Sequence, residues 1–232
     1  MEFRSIARSS LGPRFADRRE AGIELAVRLR QYQARDDVVV LALPRGGVPV
    51  AFEVAEALGA PLDVFVVRKI GMPGHREYAI GAIASGDVEV LDRAIPRQYG
   101  VSDVAVDAVI REEREELERR EREYRQNRPL LPLDGRIVIL VDDGLATGST
   151  MRAAVAAVRR HNPSRVVIAA PVGARDSCRD LAASADEVVC AMIPDDFSAV
   201  GQWYLTFPQT TDDEVRELLD RRHRGEPAET RP

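Results

Sequence analysis

Residues 137–150 read IVILVDDGLATGST. Five apolar residues, four of them β-branched, have the length and composition of a strand buried on both faces. They run straight into Asp142 and Asp143. Gly144 follows, then Leu145 and the small, hydroxyl-bearing cluster Ala146-Thr147-Gly148-Ser149-Thr150. A helix is predicted over about 148–160, ended by Asn162 and Pro163. A strand that feeds a glycine loop and then a helix start presents free backbone N–H groups and the positive end of the helix dipole, a combination that attracts an anion. Gly144 and Gly148 let that anion approach the backbone closely. The spacing is neither GxxxxGK[ST] nor GxGxxG, so neither a Walker loop nor a dinucleotide site is indicated.

The two acids call for a different partner. Carboxylates beside an anion cradle repel phosphate but accept from hydroxyls, and a ribose offers a vicinal pair. A sugar phosphate laid along the loop would set its phosphate on the amides and its diol on Asp142 and Asp143. The same acids could hold a magnesium ion, directly or through water. The bland alternative, with Asp142 capping the turn and Asp143 solvated, explains the acids but not the glycines, hydroxyls and helix start beside them.

Outward from this stretch the pattern repeats. DDVVVLALP (36–44), PLDVFVV (61–67), RVVIAAPV (165–172) and EVVCAMI (187–193) read as strands. They alternate with helices over about 48–58, closed by Gly59, and about 175–184. That alternation predicts an α/β fold with a Rossmann-like parallel sheet flanked by helices. Asp17 and Glu20 have capping-box spacing at the start of a helix to about Leu29. The polar stretch RKIGMPGHREY (68–78) reads as a loop of lid-like composition before the strand AIGAIA (79–84), with DVEVLD (87–92) a short hairpin-like piece. Ser102 caps a long, almost wholly charged helix to about Gln126. Its apolar residues Ile110, Leu117 and Tyr124 recur every seventh position, too thin a seam for a coiled-coil dimer, so a solvated helix laced with i,i+4 ion pairs is expected. PDDFSAVGQWYLTFPQT (194–210) breaks the alternation. Thr211 and Glu214 then cap a last helix.

A second candidate anion loop is Pro44-Arg45-Gly46-Gly47, between a buried strand and a helix. Its two glycines permit backbone approach, and Arg45 can offer a forked donor to phosphate oxygens; alone it could also be a plain β–α turn. Bulk properties limit the rest. The 232 residues carry a formal charge of -5 and are 45% apolar, which permits a real core and argues against a general nucleic-acid binder. No run approaches the roughly 18 to 20 apolar residues of a membrane helix, and the N-terminus lacks a signal-peptide core. Cys178, expected on a helix, and Cys190, in a strand, have neither metal-ligand nor disulfide-framework spacing. Ordinary burial and a cytoplasmic setting are expected. His161 is expected to cap a helix C-terminus.

VILVDDGLATGST closely resembles the phosphoribosyl-pyrophosphate signature of the type I phosphoribosyltransferases, a resemblance that extends over roughly residues 36–207. It implies a five-stranded parallel core, a flexible catalytic loop and a C-terminal hood over the acceptor. The divisions would be an N-terminal helix contributing to the hood (1–35), the core (36–193), the hood and last helix (194–224) and a disordered tail (225–232). It further implies ribose and 5′-phosphate binding by Asp142, Asp143, Gly144, Leu145, Ala146, Thr147, Gly148, Ser149 and Thr150. Pyrophosphate would be held by Arg45, Gly46, Gly47, Arg68 and Lys69, with a strained or cis peptide near Arg45–Gly46. Phe197 and Val200 would meet the base, Phe197 by stacking, with Trp203 packing behind. Magnesium would be the cofactor and a homodimer the assembly. Glu77, His75 and Lys69 are the candidate acid–base groups. Ala146 stands where the hypoxanthine-guanine branch has an aspartate, so that branch's proton transfer does not carry over. The expected activity is transfer of ribose 5-phosphate to a nitrogenous, purine-like base with release of pyrophosphate. The alternatives are a non-catalytic sensor of phosphoribosyl pyrophosphate or nucleotide, and a hydrolase or phosphorylase at the same carbon.

Overall fold

The computed structural model describes residues 13–126 and 128–225. The expected disordered tail therefore lies outside the described residues, apart from Gly225. Chain order begins with α1 (Arg18–Arg28), β1 (Val38–Ala42), α2 (Gly47–Leu58) and β2 (Leu62–Val64). Three antiparallel strands follow: β3 (Val67–Met72), β4 (His75–Ala84) and β5 (Val88–Leu91). The short α3 (Ala94–Gln98) and the long α4 (Asp103–Arg125) lead back to β6 (Ile137–Val141) and α5 (Ser149–Val158). The chain ends through β7 (Arg165–Val172), α6 (Arg175–Leu181), β8 (Glu187–Met192) and α7 (Asp212–Arg224).

The main sheet has five parallel strands in the order β2-β1-β6-β7-β8. Strands β1 and β6 explain the unbroken apolar runs. Val38, Val40, Ala42, Ile137, Ile139 and Val141 face a core shared with α1, α2 and α7. Val39, Leu41, Val138 and Leu140 face the opposite core, which holds Met151, Ala154 and Val158 of α5. Each strand is thus buried on both sides, as parallel sheets require. The predicted caps form: Asp17 accepts from the Glu20 amide at 2.9 Å, Ser102 from Ala105 at 3.3 Å and Thr211 from Glu214 at 3.1 Å. Among the described residues no helix is long and apolar enough to cross a membrane.

The stretch 68–78 departs from its expected loop. Arg68 and Lys69 lie within β3, and His75 to Tyr78 begin β4, with a turn at Pro73-Gly74 between them. The reason is pairing: Lys69 sits opposite Ala82, Ile70 opposite Gly81, and Ile70, Met72 and Ile80 are buried in the core that α4 closes. Those few apolar anchors outweigh the polar composition on which the loop reading rests. Arg68 and Lys69 therefore do not end a core strand; they stand on a separate three-stranded sheet.

Helix α4 covers that sheet. Val106, Ile110, Leu117 and Tyr124 are buried, the seven-residue spacing being nearly two turns and so a single stripe. The outer face carries the expected ion pairs, among them Arg119–Glu123 at 2.7 Å and Arg120–Glu116 at 2.7 Å. The last turn hides a guanidinium. Arg125 is 5% exposed and bonds Asp63, itself 3% exposed, at 2.9 Å. It also donates to Val64 O and to Ser85 Oγ, and pairs with Glu121 at 2.6 Å. Ser85 Oγ in turn accepts from the Val66 amide at 2.9 Å.

One smaller expectation changes and another gains detail. Asn162, in the left-handed region, closes the turn after α5, while the His161 ring packs edge-on against Phe65 and over Gly86. Cys178 and Cys190, on different elements, meet as free thiols 3.1 Å apart beside Gly173.

Replacing Arg125 by Leu should leave Asp63 charged, buried and unpaired. Breaking a buried pair from one side costs roughly 3–5 kcal/mol, so a large fall in the urea midpoint at unchanged slope is expected. A shift worth less than about 1 kcal/mol would show that the pair contributes no more than a surface contact.

Candidate active site

Strands β1 and β6 are paired in register, Val38 opposite Ile137 through Ala42 opposite Val141. Their two exit loops therefore leave the sheet side by side, at the carboxyl rim where open α/β sheets bind ligands. Leu43 donates to Val141 O at 2.9 Å. Pro44-Arg45-Gly46-Gly47 then lies directly against Asp142-Asp143. A Cβ on Gly46 would run into the Asp143 carboxylate, and one on Gly47 would stand 2.6 Å from Val141 O and 3.0 Å from Asp142 Cα. The glycines are thus required by the contact between the two loops. A cis peptide joins Pro44 to Arg45, one bond before the expected place.

The loop Gly144–Gly148 is braced from beneath. Leu145 is buried, donates to Val172 O at 2.9 Å and accepts from the Ala174 amide at 2.8 Å. Ser177 of α6 donates to Ala146 O. Gly148 takes φ 68° at the start of α5. Among the described residues, no group accepts from the amides of Ala146, Thr147, Gly148 or Thr150. Thr147 Oγ1 and Ser149 Oγ lie 3.2 Å apart beside them. Asp142, Gly144–Thr150 and Met151 enclose a cleft of about 130 Å³. Unpaired amides, two hydroxyls and a helix N-terminus make this cleft an acceptor of anions.

The two acids differ in placement. Asp142 lines the cleft, and its Oδ1 accepts from the Asp143 amide at 2.9 Å. Asp143 is turned toward α1: its Oδ2 accepts from Arg18 Nε at 2.9 Å and is ion-paired with Nη2 at 2.8 Å. Its carbonyl accepts from Tyr204 Oη at 2.6 Å. Burial pushes the Asp142 carboxyl well above the usual carboxylate range, and the Asp143 charge adds to the effect. Burial raises Asp143 as well, with the Arg18 guanidinium acting against it. A hydroxyl donor or a cation at Asp142 would relieve that stress.

The remaining residues fall into three groups. Arg45 is half-buried and points toward Asp212 at the start of α7, at 3.7 Å, where Tyr124 Oη also donates to Asp212 at 2.5 Å. On the small sheet, Arg68 is paired with Glu113 at 2.6 Å and Arg76 with Glu112 at 2.9 Å, both acids on α4. Lys69 lies 3.5 Å from Glu77; Lys69, His75 and Glu77 are exposed. The segment after β8 supplies the other wall. Val200 packs within 2.5 Å of where a Gly144 Cβ would stand. Phe197 is partly buried against the cluster of Phe15, Ala21, Val172, Trp203 and Tyr204. The Phe15 amide donates to Trp203 O at 2.9 Å and its carbonyl accepts from Leu205 at 2.8 Å, so residues from both ends of the described chain build this wall.

Arg18 and Phe207 escape the sequence reading. Capping places Arg18 in a first helical turn, but nothing in the chain links it to an acid 125 positions away.

The fold and the paired loops define a class. The family model for the phosphoribosyl transferase domain matches residues 17–207, and the chain belongs to the type I phosphoribosyltransferase family. It is 51% identical over 210 residues to the Mycobacterium tuberculosis protein Rv0571c, and to MT0597 from a second strain. The match takes in 90% of this chain, which spans about half (47%) of the length of those relatives. Among solved structures it is similar to TT1426 from Thermus thermophilus, with a TM-score of 0.79 and 44% identity over 89% of this chain and 97% of that one.

Gly47→Ala tests the loop contact. The new methyl would press on the β6 backbone, which cannot swing aside, and overpacking of this kind costs about 1–3 kcal/mol. A thermal melt should report the loss; an unchanged melting temperature would show that the two loops are not held together this tightly.

Proposed function

We propose that the protein transfers ribose 5-phosphate from phosphoribosyl pyrophosphate to a nitrogenous, purine-like base, releasing pyrophosphate. The observation that carries this reading is the cleft in which Asp142 and the unpaired amides among residues 146–150 share one lining. A 5′-phosphate suits the amides and the hydroxyls of Thr147, Ser149 and Thr150. The ribose diol suits Asp142, with Asp143 contributing through the carboxylate oxygen that Arg18 leaves free.

The leaving group would then extend toward Pro44–Gly47, where Gly46 and Gly47 permit close approach and Arg45 supplies a fork once it exchanges Asp212 for phosphate oxygens. Arg68 and Lys69 are further donors, each held by a carboxylate until an anion of higher charge competes. As the bond from C1′ to pyrophosphate breaks, positive charge develops on the ribose and negative charge on the departing oxygens. The chain's tasks are to align the two partners and to neutralise the departing oxygens. A ring nitrogen of the base attacks C1′ and gives up its proton; Glu77 and His75 on the hairpin are the candidate groups to receive it, with Lys69 as the cationic neighbour that holds Glu77 in place. Phe197 and Val200 form the apolar side of the base site, consistent with a flat heterocycle.

Magnesium fits this site as a companion of the substrate. Among the described residues no group of three or more His, Cys, Asp or Glu side chains could cage a metal. Asp142 and Asp143 would meet the ion directly or through water, the remaining oxygens coming from the substrate. When bound, the ion would draw charge from the leaving pyrophosphate.

The test is pyrophosphate release from phosphoribosyl pyrophosphate and Mg²⁺ across a panel of purines and related heterocycles. Release that depends on an added base is expected. Asp142→Asn should lower kcat/KM about 10- to 100-fold, the range set by losing a hydrogen bond to a charged group. Release without any base would make the protein a hydrolase, and tight binding with no turnover would make it a regulatory binder.

A further inference from the structure

We infer that Arg18 is a positioning residue for sugar recognition, fixing Asp143 so that the acid pair can grip a vicinal diol; the inference rests on the phosphoribosyl reading above. Arg18 begins α1, far in sequence from β6, yet its guanidinium is held on every side. Nε donates to Asp143 Oδ2 and Nη2 is ion-paired with the same oxygen, Nη1 donates to Pro208 O at 2.7 Å, and the plane lies over the Phe207 ring at 3.7 Å. Its side chain is 11% exposed.

The chemistry needs such a group. Two adjacent carboxylates in a partly desolvated place repel each other, and each would otherwise rotate toward water. The Arg18 fork fixes one oxygen of Asp143, which also packs against the Gly46 backbone. The carboxylate then has one orientation and one oxygen left for a ligand. Asp142 is held separately, by the Asp143 amide. Tyr204 adds a third tie: its hydroxyl holds the Asp143 carbonyl and its ring lies 4.8 Å from Phe207. Arg18 thus joins α1, the wall at 203–208 and the acid pair into one unit. A lysine could supply the charge but neither the fork nor the stacked plane.

A merely structural clamp and a positioning residue differ in one readout, the preference for a sugar with both hydroxyls. Ribose 5-phosphate and 2-deoxyribose 5-phosphate are to be titrated calorimetrically into the full chain, its Arg18→Met and its Arg18→Lys variants, with inorganic phosphate as the control. The wild type should prefer ribose 5-phosphate. Arg18→Met should weaken ribose 5-phosphate by about tenfold or more, bring the two sugars level and leave inorganic phosphate within about twofold. Arg18→Lys should recover part of the preference. A wild type with no preference would overturn the sugar reading and this inference together. A wild-type preference that survives intact in Arg18→Met would overturn this inference alone. Should Arg18→Met fail to fold, full preference in Arg18→Lys overturns the inference and reduced preference supports it.

Discussion

Two neighbouring carboxylates at the end of a buried strand are an electrostatic burden, and much of the site is arranged around relieving it. Water cannot fully solvate Asp142 and Asp143, and the charge on Asp143 raises the cost of ionising Asp142. Relief arrives from two directions: Arg18 brings a guanidinium from the first helix, and the Asp143 amide turns back onto Asp142, while the Tyr204 hydroxyl fixes the loop by holding its main-chain carbonyl. The balance is incomplete on the side of the cleft, where Asp142 shares its wall with unpaired amides. A protein surface that leaves this imbalance open has a standing attraction for a molecule with hydroxyls at one end and phosphate at the other.

The same logic governs charge elsewhere. Helix α4 is nearly all charge, yet its acids are distributed to match what it covers. Glu112 and Glu113 meet Arg76 and Arg68 of the small sheet, while Glu116, Glu121 and Glu123 pair within the helix. Exposed pairs of this kind contribute little each; their effect is to let a basic hairpin rest on the core without mutual repulsion among its cations. Arg125 and Asp63 are withdrawn from water as a pair, and there the neighbouring carbonyl and hydroxyl are drawn in to satisfy them.

What can be read in the chain divides by range. Four of the five parallel strands, the helix caps at Asp17, Ser102 and Thr211, and the glycine loop at 144–150 are local patterns, set by apolar runs, capping chemistry and glycine placement, and they stand where the sequence puts them; the run 61–67 instead divides, Leu62–Val64 joining the parallel sheet and Val67 opening the antiparallel one. The hairpin 67–84 reads as a loop in its first half because polar composition dominates a few buried anchors, Ile70, Met72 and Ile80, whose weight depends on α4 lying over them. Arg18 on Asp143, Tyr124 on Asp212 and Cys178 on Cys190 are meetings of residues 12 to 125 positions apart, and no periodicity encodes them. The candidate site is therefore legible as two loops, while the side chains that steer its acids and its Arg45 are not.

The attachment of the hairpin is uneven along its length. At its base, Val66 and Ser85 are bound to each other, and Ser85 to the buried Arg125. At its far end, Arg76 and Glu77 are exposed and pair with other exposed side chains. Between base and turn, Ile70 and Met72 are buried in the core that α4 closes, so apolar contact is the rivet and the outer ion pairs are only trim. Ionic strength weakens those outer pairs, while the apolar rivets and the base keep the ribbon seated on α4.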